Sequence, residues 1–293
     1  MTGRGQNMKR SLSYISDRIE EEILSSRPVS GGSISSAYLL ETKDKKYLLK
    51  VNDRPEAGAM FHAEQSGLQV LESTGTIAVP HVYLTETVDG ESFLLMDFIE
   101  SKHPDHTDFE RLGTHLAHLH CYPQERFGFE EDNFIGRLLQ SNSPHDDWPV
   151  FYWYERIVPQ CRLALKAHRL RPYEIPAEGK ALRVFTDILG EDVKPSLLHG
   201  DLWGGNYLIA TDGTPYLIDP AVYRGHAMVD IAMSRLFGGF SDSFYEAYHT
   251  IIPEQENDLE QIDLYQLYYL LVHLNLFGSG YYSSIAAILK RYF

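Results

Sequence analysis

Short apolar runs separated by polar turns characterise the first hundred residues. Segments 36–40 and 46–51 are apolar and are joined by the polar turn 41–45, which predicts two antiparallel strands. Segment 79–100 predicts two further strands that reverse direction at Asp89-Gly90. Apolar residues recur at helical spacing in 17–25 and in 56–73, which predicts two helices. This part of the chain is therefore expected to combine a small sheet with helices.

Helical spacing prevails beyond residue 100, where the longer candidates are 109–120, 148–170 and 261–292. The polar segment 101–107 contains Pro104 and has no apolar period, so it marks the predicted boundary between two lobes. The expected fold class is α+β. A small N-terminal lobe (1–100) carries an antiparallel sheet, and a larger C-terminal lobe (101–293) is mainly helical.

Charge and composition narrow the classes of function. The 293 residues include 26 Lys and Arg against 41 Asp and Glu, and the net charge of −15 disfavours nucleic-acid binding. The longest apolar stretch is too short to span a bilayer, and no secretory signal pattern is present, so neither a membrane nor export is expected. Two isolated cysteines, Cys121 and Cys161, are typical of a cytoplasmic protein. The oligomeric state is not indicated.

Segment 199–220 contains a strong hairpin signal. Asp212-Gly213 is a favoured dipeptide for a two-residue turn, and a turn of that type pairs Asn206 with Asp219 across the ladder. An amide and a carboxylate held together suit Mg²⁺, which takes one or two protein oxygens and completes its octahedron with phosphate and water. Each residue alone could equally cap a turn.

Further residues fit a phosphotransferase. Asp201 lies five residues before Asn206, at the spacing of a kinase catalytic loop, where an aspartate accepts the proton of an attacking hydroxyl. Lys50 at the end of a predicted strand and Glu64 in the following helix could form the ion pair that binds nucleotide phosphates. Backbone N–H groups of a loop containing Gly31, Gly32 and Ser33 could also contact phosphate. No P-loop motif is present.

The segments HGDLWGGNYL, LIDPAVYRGH and VDIAMSRLFGGF resemble the fructosamine kinase (ketosamine 3-kinase) family. This family belongs to the protein-kinase-like superfamily, near the aminoglycoside and choline phosphotransferases. The resemblance extends to SGGSIS, YLLKVN, MFHAE, LLMDFIE and FGFEEDNFIG, and so covers most of the chain. Trp203 is the discriminating residue, because the aminoglycoside branch usually reads more like HGDLHPGN at this point.

The resemblance implies a two-lobed protein-kinase-like fold and a role for each matching residue. Lys50 would bind the α- and β-phosphates of ATP and pair with Glu64, Asp201 would be the catalytic base, and Asn206 and Asp219 would hold Mg²⁺. His199 and Asp230 would support the catalytic loop, and Trp203 would border the sugar. The hinge residues whose backbone would bind adenine are Met96, Asp97, Phe98 and Ile99. Asp132 and Asn133 would contact the acceptor, although a turn is an equally good interpretation.

The reaction implied by the resemblance is ATP-dependent phosphorylation of the sugar 3-hydroxyl in ketosamines, either small molecules or glycated protein lysines, and it leads to deglycation. Two alternatives stay open: a related kinase acting on an aminoglycoside or choline, and a nucleotide-binding pseudokinase without turnover. Some family members carry a redox-active cysteine where Ser33 stands, so a disulfide switch in the glycine loop is not expected here.

Overall fold

A computed structural model describes residues 2–29 and 35–293. The chain divides into two compact units. The first comprises residues up to Gln69 together with Pro80–Glu100, and the second comprises Val70–Val79 and Ser101–Phe293. Residues 70–79 group with the second unit, where the N–H of Leu217 donates to the carbonyl of Ala78 at 3.0 Å.

The first unit is built on a five-stranded antiparallel sheet with the strand order β1-β2-β3-β5-β4. Its elements are α1 (Thr2–Ile19), β1 (Ser25–Pro28), β2 (Ser36–Glu41), β3 (Lys46–Asn52), α2 (Ala57–Ser73), β4 (Val82–Val88) and β5 (Glu91–Asp97). Alternate residues of the central strands face one core, in which Leu49 of β3 and Leu95 of β5 pack with Ile15 of α1. The predicted strands and the turn at Asp89-Gly90 are confirmed, and so is the helix at 56–73.

The helix predicted at 17–25 is wrong. Helix α1 ends at Ile19, Glu20 has a left-handed φ of 56°, and Ser25 already begins β1. The apolar face of the helix lies earlier, with Leu12, Ile15 and Ile19 against the sheet. Ile23 also packs on this core from beyond the helix. Because Ile23 is apolar and lies at helical spacing from Ile19, the helical pattern in the sequence continues beyond the end of α1.

The second unit is mainly helical, with three small antiparallel sheets. Its elements are β6 (Ser101–Lys102), α3 (His106–His120), β7 (Asn133–Ile135), β8 (Leu138–Gln140), α4 (Trp148–Phe151), a π-helix (Tyr152–Ile157), α5 (Val158–Lys166), a 3-10 turn (Pro172–Glu174), α6 (Glu178–Leu189), β9 (Ser196–Leu198), β10 (Tyr207–Ala210), β11 (Pro215–Leu217), β12 (Tyr223–Gly225), α7 (Met228–Leu236), α8 (Asp242–Ile251), α9 (Asp258–Phe277), a 3-10 turn (Ser279–Tyr281) and α10 (Tyr282–Tyr292). The α+β class is confirmed. Among the described residues, no helix has both the length and the apolar character needed to cross a bilayer.

Two of the predicted long helices are interrupted. The helix predicted at 261–292 ends at Phe277, because Gly278 adopts a φ of 100° and its N–H donates to the carbonyl of Leu274 at 3.1 Å. The segment predicted at 148–170 contains six residues of π-helix before Pro159. Proline has no N–H and its ring crowds the preceding turn, so the wider π spacing accommodates it.

Helices α3 and α8 pack closely at Gly113, where a β-carbon would overlap the carbonyl oxygen of Phe244. We expect Gly113→Ala to lower the free energy of unfolding by about 1–3 kcal/mol, because the backbones must separate. Gly179 of α6 is the matched control. It is exposed, and its β-carbon would meet only the end of the Arg183 side chain at 3.7 Å. Gly179→Ala should raise stability by roughly 0.5 kcal/mol through helix propensity. Thermal unfolding shows whether each variant is less or more stable than wild type. An equal change in stability for the two variants would contradict the close packing of α3 against α8.

Candidate active site

A buried carboxylate organises the loop that follows β9. Asp230 of α7 is fully buried and accepts hydrogen bonds from the backbone N–H groups of His199 (2.8 Å) and Gly200 (2.9 Å). The ring nitrogen Nε2 of His120, on α3, lies 3.1 Å from the same carboxylate, and its Nδ1 lies 2.7 Å from the hydroxyl of Tyr248. Burial acts to raise the pKa of Asp230, but the His120 hydrogen bond and charge outweigh it and hold that pKa below its ordinary value. Asp230 is therefore ionised.

Gly200 is required by geometry. Its φ is 83°, and a β-carbon there would overlap the carbonyl oxygen of Ala221. The neighbouring His199 ring is buried, with Nε2 2.9 Å from the carbonyl of Ile218, and its Nδ1 accepts from the N–H of Asp201 at 3.2 Å. Burial lowers the pKa of His199, so the ring is neutral and donates from Nε2. His199 thus links the loop at Asp201 to the chain just before Asp219.

Asp201 and Asn206 lie in contact, as their spacing predicts. The amide Nδ2 of buried Asn206 donates to the backbone carbonyl of Asp201 at 2.8 Å and to its Oδ2 at 3.2 Å. Burial and the charges of Asp219 and Asp230 raise the pKa of Asp201 to about 7, although the Asn206 hydrogen bond opposes the shift. A carboxyl group of this kind can accept a proton near neutral pH.

The predicted register of the hairpin is wrong by one residue. Tyr207 pairs with Leu217 and Leu208 with Tyr216, so Asn206 lies opposite Ile218, whose N–H donates to the Asn206 carbonyl at 3.0 Å. The turn has three residues rather than two, and Gly213 supplies the left-handed third residue with a φ of 86°. Such loops also tolerate Asp-Gly. The dipeptide therefore located the turn without fixing its length.

Asp219 nevertheless lies beside Asn206, by a different route. It lies two residues beyond the end of β11 and has a φ of 52°, a left-handed conformation that is uncommon for residues other than glycine, asparagine and aspartate. The Asn206 Nδ2 lies 3.5 Å from the Asp219 carbonyl. With Nδ2 directed toward the backbone, the side-chain oxygen of Asn206 and the carboxylate of Asp219 are hard donors of the kind that Mg²⁺ accepts. The donor set fits this ion.

The loop between Asp201 and Asn206 presents an indole. Trp203 is 42 % exposed, and a β-carbon on Gly205 would overlap its ring. Gly204 approaches the backbone after α7, since its β-carbon would lie 3.1 Å from the carbonyl oxygen of Gly238. The two glycines therefore have separate roles. Gly205 gives room to the indole, and Gly204 lets the loop lie against the backbone that follows α7.

The two candidate acceptor residues have different environments. Asn133 is buried, and its amide is bonded at both ends, donating to the carbonyl of Val222 at 2.6 Å and accepting from Gln140 Nε2 at 2.8 Å. These bonds give Asn133 a structural role, in place of the substrate contact predicted for it. Asp132 is exposed, and its carboxylate accepts a hydrogen bond from the N–H of Asn142 at 2.8 Å. This contact fits the alternative interpretation of Asp132 as a turn residue.

In the first unit, the predicted ion pair is present. Lys50 of β3 and Glu64 of α2 lie 2.6 Å apart (Nζ to Oε1), and their side chains are only 14 % and 15 % exposed. Gly31, Gly32 and Ser33 lie outside the described residues.

The hinge candidates lie at the end of β5: Met96 and Asp97 are its last two residues, and Phe98 and Ile99 follow. Met96 is buried, and the N–H groups of Asp97 and Phe98 donate to the carbonyls of His81 (3.0 Å) and Lys46 (3.3 Å). The Asp97 carboxylate accepts from the Tyr83 hydroxyl at 2.7 Å. These two N–H groups are therefore bonded to neighbouring backbone at the edge of the sheet.

The family model for fructosamine kinases matches residues 7–293. The chain belongs to the fructosamine kinase family. The protein-ribulosamine 3-kinase of Arabidopsis thaliana is 38% identical over 269 residues, covering 90% of this chain and 81% of that protein. The ketosamine-3-kinase of Mus musculus is 34% identical over 289 residues, covering 89% and 92% of the two chains. As a member of this kinase family, the chain is an ATP-dependent kinase that acts on a hydroxyl.

The fold agrees with the family. A solved fructosamine-3-kinase homologue from Thermobifida fusca superposes with a TM-score of 0.85 at 31% identity, covering 95% of this chain and 96% of that chain. The protein-kinase-like fold expected from the resemblance is confirmed.

Three residues that contact this site were not predicted from the sequence: His120, Tyr248 and Tyr269. Each lies on the buried face of a helix, among apolar residues. The sequence pattern therefore indicates a core position and not a polar contact. The one available signal is a histidine or a tyrosine hydroxyl on an otherwise buried helix face, because such groups take hydrogen-bond partners when buried.

We expect Asp230→Asn to lower the free energy of unfolding by about 3 kcal/mol and to reduce turnover, because an amide cannot accept from both loop N–H groups and His120. Asp212→Asn is the matched control. Asp212 is exposed in the hairpin turn and accepts from the N–H of Thr214, which an asparagine oxygen can also do. The free energy of unfolding of Asp212→Asn should differ from that of wild type by less than about 0.5 kcal/mol. Denaturant unfolding measures both, and an equally mild effect at Asp230 would contradict its organising role.

Proposed function

We propose that this protein phosphorylates the sugar 3-hydroxyl of ketosamines with ATP. The acceptors are the sugar adducts of small amines or of protein lysines. Family membership supports the substrate class. The observation that carries the proposed chemistry is the contact between Asp201 and Asn206, in a loop anchored by Asp230. Removal of the phosphorylated sugar would leave a free amine, so the biological outcome is deglycation.

Asp201 is the proposed catalytic base. Its carboxylate accepts the proton of the sugar hydroxyl while that oxygen attacks the γ-phosphorus, and ADP leaves with the electrons of the broken bond. Asn206 holds the backbone and one oxygen of Asp201, which leaves the other oxygen for the acceptor. The exposed indole of Trp203 is proposed to border the sugar ring, since it stands two residues from the base.

Other residues are proposed to bind the nucleotide. Lys50, oriented by Glu64, binds the α- and β-phosphates, and the hinge backbone at Ile99 contacts adenine. Asn206 and Asp219 hold Mg²⁺ through oxygen atoms. The bound ion neutralises charge on the phosphates and offsets the negative charges that surround Asp201.

The substrate class is tested by Mg-dependent ADP release with ribulosyl-lysine, fructosyl-lysine, kanamycin and choline. We expect turnover with the two ketosamines only. Asp201→Asn should reduce turnover on them by about 10²–10⁴, because general base catalysis contributes that factor. The exposed Asp187→Asn of α6 serves as the control and should retain wild-type turnover.

Each outcome of this assay is informative. Turnover on kanamycin or choline alone would retain phosphoryl transfer and reject the ketosamine acceptor. ATP binding without ADP release on any acceptor would indicate the pseudokinase alternative. An Asp201→Asn variant within threefold of wild type would reject Asp201 as the base.

A second prediction concerns the metal. Asp219→Asn removes a charged oxygen ligand, so it should raise the Mg²⁺ concentration needed for half-maximal turnover by at least about tenfold and should lower the maximal rate. Titration of Mg²⁺ at saturating ATP measures this shift. The exposed Asp212→Asn provides the comparison. An unchanged Mg²⁺ dependence in Asp219→Asn would exclude Asp219 as a ligand.

A further inference from the structure

The backbone of residues 199–201 is completely hydrogen-bonded. The N–H groups of His199 and Gly200 donate to Asp230, and the N–H of Asp201 donates to the His199 ring. The carbonyl of His199 accepts from the N–H of Ala221 at 2.9 Å, and that of Asp201 accepts from Asn206 and from the N–H of Trp203. The carbonyl of Gly200 remains, and it accepts at 2.8 Å from the hydroxyl of Tyr269.

Tyr269 reaches this carbonyl from α9, 69 residues along the chain from Gly200. The side chain is fully buried, and its ring packs edge-on against Tyr268 with the centroids 5.1 Å apart. Burial raises the pKa of Tyr269 well above its ordinary value, so the hydroxyl keeps its proton. The group is therefore a fixed donor aimed at the catalytic loop.

The carbonyl that Tyr269 holds belongs to the peptide linking Gly200 to Asp201. Gly200 has left-handed geometry and no side chain, so its own conformational preferences restrain this peptide weakly. Asp230 fixes the preceding peptide through the Gly200 N–H. The following peptide is held at its N–H by the His199 ring, at 3.2 Å, and at its carbonyl by Tyr269, at 2.8 Å. Rotation of the second peptide would move the Asp201 backbone and change the direction of its carboxylate.

We infer that Tyr269 is a positioning residue for the catalytic base, acting by its hydrogen bond to the carbonyl of Gly200. This inference rests on the proposed role of Asp201. A base displaced by about 1 Å loses on the order of 10²-fold in rate, whereas nucleotide binding does not depend on its orientation. Loss of the Tyr269 hydroxyl should therefore lower kcat and leave the KM for ATP unchanged.

Tyr269→Phe removes this one hydroxyl and keeps the ring. Tyr265→Phe is the matched control. Tyr265 lies one turn earlier on α9 and is equally buried, and its hydroxyl is bonded to Trp148 Nε1 (2.9 Å) and His226 Nδ1 (2.7 Å) rather than to the catalytic loop. Both variants lose buried hydrogen bonds, so both should unfold at a lower temperature.

Steady-state kinetics with ribulosyl-lysine distinguish a positioning role from a structural one. We expect kcat to fall about 10- to 100-fold in Tyr269→Phe and by less than twofold in Tyr265→Phe, with the KM for ATP within twofold of wild type in both. Equal losses of kcat in the two variants, or no loss in Tyr269→Phe, would overturn the inference.

The slow hydrolysis of ATP by water provides the same comparison without a ketosamine. If wild type turns over ATP but not ribulosyl-lysine, the proposed acceptor fails, and the ratio of hydrolysis rates still tests Tyr269. A selective loss in Tyr269→Phe would then support the inference, and equal rates in the two variants would reject it. If the wild-type protein consumes ATP neither with ribulosyl-lysine nor by hydrolysis, both the proposed function and the inference are rejected. ATP-induced shifts in the melting temperature confirm that each variant retains its nucleotide site.

Discussion

The catalytic loop depends on one buried negative charge. Asp230 has no exposed surface, and an isolated carboxylate in such a position would cost several kcal/mol. The structure offsets this cost with donors from two sources: the backbone N–H groups of His199 and Gly200, and the ring of His120. Because the loop supplies two of these three donors, a rearrangement of its backbone would leave the charge with the His120 ring alone. Stability and the geometry of the site are thus linked through the same hydrogen bonds.

The unusual backbone conformations of the site follow from this anchor. Gly200, whose N–H donates to this carboxylate, has a positive φ, and the Ala221 carbonyl leaves no room for a side chain there. Asp219, two residues beyond the end of β11, also adopts a positive φ, and its backbone carbonyl lies 3.5 Å from Asn206 Nδ2. His199 connects these two points by bonding the Asp201 N–H and the Ile218 carbonyl. The three polar residues of the candidate site therefore belong to one hydrogen-bonded structure.

The apolar period and the turn residues predict structure that forms between residues close together in the chain. Four of the five strands of the first unit, the helix at 56–73 and the presence of a hairpin at Asp212-Gly213 follow from apolar period and turn chemistry, and these predictions are confirmed. Strand β1 (Ser25–Pro28) was not predicted. The register of the hairpin was missed by one residue, because Asp-Gly suits turns of two lengths. The end of α1 was missed because Ile23 continues the apolar period beyond the helix.

Long-range contacts were not predictable from one sequence. His120 meets Asp230 across 110 residues, and Tyr269 meets Gly200 across 69, so no spacing rule connects them. One partner of Asn133 was hidden in the same way, since Val222 lies 89 residues along the chain. The motif predicts the chemistry of the loop, whereas the tertiary fold determines which groups orient it.

The proposed base Asp201 would direct the phosphoryl group of ATP to one hydroxyl of a ketosamine. Phosphorus NMR of the product formed from ribulosyl-lysine, with correlation of the new phosphorus signal to the protons of the sugar, identifies that hydroxyl. We expect a single phosphate ester coupled to the proton on C3. An ester at another carbon, or inorganic phosphate without an ester intermediate, would contradict it.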